Sequence, residues 1–229
     1  MITPANMDES HMPDTAPVHE TIEQPYVDYT AGSRSERIQS LITEEPLSIR
    51  IAGNPYSVVM RTPGDETAHV AGFCLAEGIV DHPEDIVTIS FCMEDQTNVA
   101  TLTLTDSRRQ QVADLLERKG FVSQTSCGIC GKEVIKDIQQ ILFPVENETV
   151  FTPAQILDSV DRLPSRQPLY QKTRSSHAAV VFNHALQPLG SAEDVGRHNA
   201  LDKAIGKVFM LKQIQNACLG VMSSRLSYE

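Results

Sequence analysis

No window of this sequence approaches the roughly 18 consecutive apolar residues that a membrane-spanning helix needs. The first residues hold neither a cluster of positive charge nor the apolar run of a signal peptide, so neither secretion nor membrane spanning is expected. No basic stripe is present and the formal net charge is −11, which argues for no nucleic-acid partner, although a local cationic pocket is compatible with that balance. Internal repeats and strict low-complexity runs are absent too. Cysteines are five, an odd number, and only Cys127 and Cys130 are close in sequence. That is cytosolic usage rather than a disulfide framework, with Cys74, Cys92 and Cys218 expected as reduced core residues in apolar surroundings.

What is present is an ordinary globular composition, 41% hydrophobic and 21% charged, over 229 residues, enough for one large or two small domains. The acidity is uneven: residues 1–45 hold nine acids against two bases. Residues 1–36, with Pro4, Pro13, Pro17 and Pro25 among polar residues, read as a disordered acidic tail unable to offset its ordering entropy. Beyond it, alternation over 46–52 and 57–60 about Gly53-Asn54-Pro55 predicts a β-hairpin. Thr62-Pro63-Gly64-Asp65 predicts a capped helix start, with Thr62 as N-cap, a helix to about Glu77 and Gly78 as its stop. Strands are expected over 86–92 and 98–104, and a helix over 108–119 closed by Gly120. Further on, Thr152-Pro153 starts a helix to about Leu163, 178–182 and 186–190 form a hairpin, 199–211 a helix and 217–222 a buried strand. The class is therefore α+β or α/β, with a boundary near 120–126 dividing a unit at 37–122 from one at 123–229. The buried strand over 217–222 asks for cover on both faces, so the chain is expected to lack its last elements at the C-terminus.

The chemistry begins at Ser126-Cys127-Gly128-Ile129-Cys130-Gly131, two thiols three apart ahead of a helical apolar pattern in 132–143. A helix N-terminus there would favour a thiolate. The pair supports several readings. Half of a zinc site is one, and His82-Pro83-Glu84 echoes the zinc deaminase pattern, but Ser126 stands where that pattern has proline, and 81–84 reads better as a capped turn. A thioredoxin-like motif, a purely structural pair and a sulfur carrier, in which one thiolate holds a persulfide and the other resolves it, complete the set.

A second cluster is Asp194-Val-Gly-Arg-His-Asn-Ala-Leu-Asp-Lys203. Asp194, Gly196, Arg197, His198, Asn199, Asp202 and Lys203 surround the start of a helix, an arrangement suited to gripping phosphates and a heterocycle or, more plainly, to a capped helix with a charged face. Arg61 with Thr62 offers a similar cation at a helix start. His177, ahead of an apolar strand, is either a ligand contact or a strand-edge histidine.

Taken together, Ala52-Gly-Asn-Pro-Tyr56, Met60-Arg-Thr-Pro-Gly-Asp-Glu66, Gly72-Phe73 with Glu77-Gly-Ile79, the thiol block 126–131, the block 194–203 and Arg225-Leu-Ser-Tyr-Glu229 resemble, in order, the FdhD family of formate dehydrogenase accessory sulfurtransferases. The resemblance covers about residues 40–229. It implies a cytoplasmic homodimer, with a small N-terminal α/β roll followed by a cytidine deaminase-like three-layer domain. It further implies that sulfur passes from a cysteine desulfurase to the molybdenum bis(molybdopterin guanine dinucleotide) cofactor needed by formate dehydrogenase, with no resident metal. On this resemblance Cys127 carries the persulfide with Cys130 as its partner, and Arg61, Thr62, His177 and the 194–203 residues named above contact the cofactor. A cofactor-binding chaperone without chemistry and a zinc hydrolase are the alternatives. Two glycines usual in the family are replaced here, by Arg174 ahead of His177 and within Ser223-Ser224-Arg225, which removes room for close backbone approach.

Overall fold

The structure, a computed structural model, describes residues 19–30, 32–91, 98–116 and 149–226. The thiol block, Cys92, the expected junction near 120–126 and the expected helix beyond Leu116 lie outside them. The fold is mixed α+β, with three sheets among the described residues. No described helix is long and apolar enough to cross a membrane.

The expectation of a tail up to residue 36 needs correcting. β1 (Thr21–Thr30) and β2 (Ser33–Ile42) form an antiparallel hairpin. Its ladder closes on local pairing, with Gly32 at φ 83° in the turn, and β-branched and aromatic residues (Ile22, Tyr26, Val27, Tyr29, Ile38) favour the extended backbone. Pro25 is tolerated because both strands are edges.

β3 (Glu45–Ile51) and β4 (Asn54–Arg61) are the expected hairpin, joined through Ala52 and Gly53, both at positive φ. β5 (Ile86–Phe91) and β6 (Val99–Leu104) complete a sheet of order β4-β3-β6-β5, in which only β3 and β6 run parallel. Leu47, Ile49, Ala100 and Leu102 point from this sheet at Val70, Phe73 and Cys74 of helix α1 (Glu66–Ala76), with no exposed surface on any but Phe73, itself buried. Apolar burial of this kind contributes roughly 1.5–3 kcal/mol for each large side chain. The start of α1 differs from the sequence expectation: its N-cap is Asp65, left-handed at φ 58° after Gly64 at φ 104°, and not Thr62. The two left-handed residues turn the chain once more before the helix, which frees the Thr62 hydroxyl for a distant partner. Gly78, at φ 70°, ends the helix as expected. The turn at 81–85 is capped by Asp85, whose carboxylate accepts from the N–H of Asp81 and His82 at 2.8 and 2.9 Å.

Instead of one helix over 108–119 there are two short ones, α2 (Asp106–Gln111), capped by Thr105, and α3 (Ala113–Leu116). Buried Arg108 donates to the carbonyls of Ile79 and Gly78 at 2.8 and 2.9 Å, tying α2 to the loop after α1. Helix α4 (Pro153–Asp161) has the expected Thr152 cap, and α5 (Pro168–Thr173) follows. The third sheet has order β8-β7-β9, all antiparallel, from β7 (His177–Phe182), β8 (Pro188–Asp194) and β9 (Leu219–Met222). β9 is thus an edge strand among the described residues, with Gly220 exposed, and not a strand buried on both faces. Helix α6 (Arg197–Met210) packs Ala200, Ala204 and Val208 on Ala179, Val181 and Ala192.

α1 and α6 cross in backbone contact. A Cβ at Gly72 would lie 1.9 Å from the Asp202 carbonyl oxygen, and one at Gly206 would lie 1.8 Å from that of Ala68. Only hydrogen fits at both positions. The crossing carries Phe209 of α6 into the first core and brings His69 of α1 beside Lys203.

Candidate functional site

The α1–α6 crossing lays the segment Met60–Asp65 against Asp194–Lys203. Asp194, with no exposed surface, is the hub. Its Oδ2 accepts from the Thr62 N–H at 3.0 Å and lies 2.8 Å from Lys203 Nζ, while Oδ1 accepts from the Gly196 N–H at 2.8 Å and from Asn199 Nδ2 at 2.9 Å. Thr62 answers with its hydroxyl, accepting from the Val195 N–H at 3.0 Å, and with its carbonyl, accepting from Lys203 Nζ at 2.7 Å. Asn199 Nδ2 also donates to the Met60 carbonyl at 2.6 Å. Lys203 is 1% exposed, so its ammonium is tolerated only because a carboxylate and a carbonyl replace the water it has lost.

Arg61 is likewise fully buried. Its Nη2 donates to Asn98 Oδ1 at 3.1 Å and lies 3.2 Å from Glu66 Oε1, with Glu45 3.8 Å from Nη1, but Nε and Nη1 have no hydrogen bond. His69 is also fully buried and neither ring nitrogen meets hydrogen-bond geometry, although the Asn199 amide lies close enough to oppose the lowering of its pKa. Burial first, then the Lys203 and Arg61 charges, depress its pKa to about 3. The ring is therefore neutral, which is what lets it be buried within the reach of two cations.

At the same sheet end, His177 opens β7 directly across from Asp194 at the end of β8. Burial and Arg197 lower the His177 pKa, with Asp194 opposing them. Arg197 is half-buried, and its Nε is buried without a hydrogen bond; His198 beside it is half-buried. Ser223 joins them, its hydroxyl accepting from the Ala178 N–H at 2.9 Å and its own N–H donating to the Ala178 carbonyl at 3.0 Å. Arg174 adopts φ 58°, the left-handed region that favours glycine, and its guanidinium lies 5.5 Å from the Tyr170 ring centre.

The structure thus gathers Thr62, His177, Asp194, Gly196, Arg197, His198, Asn199 and Lys203 at one end of the third sheet, whereas Arg61, next to Thr62 in the chain, turns its guanidinium to Asn98, Glu66 and Glu45. Asp202 departs from the group by lying at the α1–α6 crossing, where burial, and then the charges of Glu77 and Asp194, push its carboxyl up to about 7. Of the sequence candidates, Asp194, Asn199 and Lys203 spend their polar atoms on the chain itself, whereas His177 and Arg197 keep exposed surface. Two residues escaped the sequence reading. His69 sits in an apolar helical pattern with no motif to mark it. Glu193 is buried in β8 and accepts from the N–H of Leu169 and Tyr170 at 2.7 and 2.8 Å and from the Ser176 hydroxyl at 2.6 Å, fixing α5 and the residue before His177. His82 and Glu84 of the zinc reading lie on the capped turn, where Glu84 pairs with Lys212, and no group of three or more His, Cys, Asp or Glu suited to a metal occurs among the described residues.

Comparison with known proteins places these segments in a family. The model of the FdhD/NarQ family matches residues 42–229. The chain belongs to that family. Among its FdhD relatives, a sulfur carrier protein FdhD of Mycobacterium tuberculosis is 36% identical over 203 residues, covering 84% of this chain and 74% of that one. One of Streptomyces coelicolor is 31% identical over 211 residues, covering 86% and 73%. A crystal structure described as a formate dehydrogenase accessory protein, from Desulfotalea psychrophila, superposes with a TM-score of 0.69 over 91% of this chain and 76% of its own, at 22% identity. That likeness is one of fold. Both blocks of the buried network and the two thiols fall within the matched span, while the β1–β2 hairpin lies almost wholly ahead of it.

Proposed function

We propose that this chain is a cytoplasmic sulfur carrier that takes sulfane sulfur from a cysteine desulfurase and delivers it to the molybdenum bis(molybdopterin guanine dinucleotide) cofactor of formate dehydrogenase. The observation that carries the reading is membership of a family whose relatives are named sulfur carrier proteins, through a match that includes Cys127 and Cys130. In the first step the Cys127 thiolate attacks the outer sulfur of the desulfurase persulfide. A Cys127–S–SH forms and the desulfurase cysteine leaves as thiolate. In the second, the Cys130 thiolate attacks Cys127 Sγ and the outer sulfur leaves as hydrosulfide for the molybdenum. The sulfane sulfur is reduced by two electrons and the two thiols become a disulfide, which an external dithiol then reduces.

In this reading the cofactor is the substrate, and its dinucleotide lies against the sheet end formed by His177, Arg197 and His198. Arg197 supplies positive charge to phosphate, and the α6 N-terminus adds its dipole. Asp194, Asn199, Lys203, Thr62 and Gly196 hold that surface in shape, while Arg61 and Asp202 act from within. The first mixed sheet with α1 is then the α/β roll, the third sheet with α6 belongs to a cytidine deaminase-like layer, and the active form is a homodimer.

Incubation with desulfurase and sulfur-labelled cysteine, followed by mass spectrometry, is expected to place the label on Cys127. Label that survives Cys127→Ala together with Cys130→Ala would sink the proposal.

A further inference from the structure

Two apolar features of the chain have no counterpart among the described residues. The first is the β1–β2 hairpin, exposed along nearly its whole length. Directly opposed residues share a face, so Pro25, Val27, Tyr29 and Ile38 lie on one side and Ile22, Tyr26 and Leu41 on the other. Tyr29 and Ile38 are 73% and 74% exposed. The hairpin is anchored at its base, where Lys172 of α5 donates to Thr21 at 2.8 Å and lies 3.6 Å from Glu23. A two-stranded ribbon is marginal in water by itself, so this one gains by being covered.

The second feature is a groove of about 930 Å3 with Ala68, Phe91, Pro188, Leu189, Met210 and Leu211 on its walls, and Asp65, Arg166 and Lys207 among its charged residues. No hairpin residue lines the groove of its own chain. The described residues of one chain therefore carry an apolar projection and an apolar concavity that they do not bring together.

We propose that the hairpin of one copy docks in the groove of a second copy, and the reverse, in a two-fold dimer. Area selects the occupant. Ten residues per strand at about 3.3 Å each, two strands wide, give a face of roughly 300 Å2. A single arm on an unrelated protein would cover about 600 Å2 counting both surfaces, short of the roughly 1,200 Å2 of a stable interface. Reciprocal exchange doubles the area and reaches that threshold, and two-fold symmetry makes every contact occur twice. The charges do not oppose the contact: on the arm Arg34 pairs with Glu36 at 3.1 Å, and in the groove Asp65 pairs with Lys207 at 2.6 Å, so neither pair brings an unmatched charge to the interface. The proposal rests on the homodimer named above and says which surfaces form it. It leaves the sulfur chemistry untouched.

Sedimentation of the whole 229-residue chain between about 1 and 100 µM is expected to give twice the 25.3 kDa monomer mass. Ile38→Asp in the arm and Leu211→Asp in the groove, both exposed positions, each weaken association about a hundredfold, since each buries a charge at the contact. Circular-dichroism melts identify any variant that has lost its fold. A photo-crosslinker at position 38 is expected to attach to groove peptides of the other copy. A monomer at every concentration overturns both the arm exchange and the homodimer. A dimer that neither folded variant weakens, or crosslinks outside the groove, overturns the arm exchange alone. Desulfurase labelling of Cys127 scores the sulfur-transfer reading separately.

Discussion

The buried network around Asp194 and the β1–β2 hairpin invert the usual arrangement of a globular protein in opposite ways. The first takes a carboxylate, an ammonium and an amide out of water and satisfies them with one another and with the backbone. The second leaves aromatic and branched aliphatic side chains in water. In the network the compensation lies within one chain, so the polar residues act as structure even though their sequence resembles a ligand-binding motif. In the hairpin no such compensation is present among the described residues, and its apolar residues are left exposed. A polar motif is thus no guarantee of contact with ligand, nor an apolar pattern of membership of a core.

Four measurements sharpen that contrast. The largest effect belongs to Asp194→Ala, which leaves Lys203 charged, buried and without its counter-ion; it should cost about 3–5 kcal/mol in urea unfolding. A loss below about 1 kcal/mol would mean that the network adds little to the fold.

Next comes the pH dependence. The folded pKa of His69 is lowered to about 3 from 6.5, so the unfolded state binds more protons there, and its contribution is full above pH 6.5 and lost as pH falls toward 3. Asp202 is raised from 3.8 to about 7, so the folded state binds more protons, and its contribution is present below 3.8 and lost as pH rises through 7. Between about pH 4 and 6.5 the two slopes oppose one another. His69→Gln should therefore expose stability that falls with rising pH, and Asp202→Asn stability that rises, each by about 1 kcal/mol per pH unit. Parallel pH profiles for the two variants would refute this pairing of opposed groups.

A smaller gain, about 0.5–1 kcal/mol, is expected of Arg174→Gly, because glycine relieves a left-handed residue; the loss of the Tyr170 contact works against it. Thermal melts would show a rise in Tm, and a fall would mean that the guanidinium contact outweighs the strain. Smallest of all, Tyr29→Ser should change monomer stability by less than about 0.5 kcal/mol, as expected of a surface position. A larger loss, read at a concentration too low for association, would place the hairpin within the folding core.

Much of the chain was legible in sequence because the signals were local. Alternation announced β3 and β4, a short apolar run announced β7, Thr152 with Pro153 announced α4, and Gly78 marked the end of α1. The elements misjudged were those decided by distant groups. Thr62 carries the signature of an N-cap, yet its hydroxyl is taken by Val195, 133 residues away, and Asp65 caps the helix instead. The hairpin at 21–42 was hidden by prolines and acids because a ladder that buries little leaves a weak apolar pattern. The candidate site was legible as a set of residues but not as a division of labour: nothing in the block 194–203 distinguishes Asp194 and Lys203, closed on each other, from Arg197, which keeps exposed surface.

What the sequence determined by itself was the mixed class, most element positions, the family and the pair of thiols to which the proposed chemistry is assigned. These follow from short-range periodicity, turn residues and motif order, all of which act within a few positions of the chain. Only the tertiary structure decided that Gly72 and Gly206 let α1 and α6 touch, that Asp194 joins two segments 132 residues apart, and that His69 is enclosed as a neutral ring within reach of the Lys203 and Arg61 charges. Those outcomes depend on who else occupies the space. Burial, with the loss of water it entails, turns an ordinary side chain into a partner that must be matched.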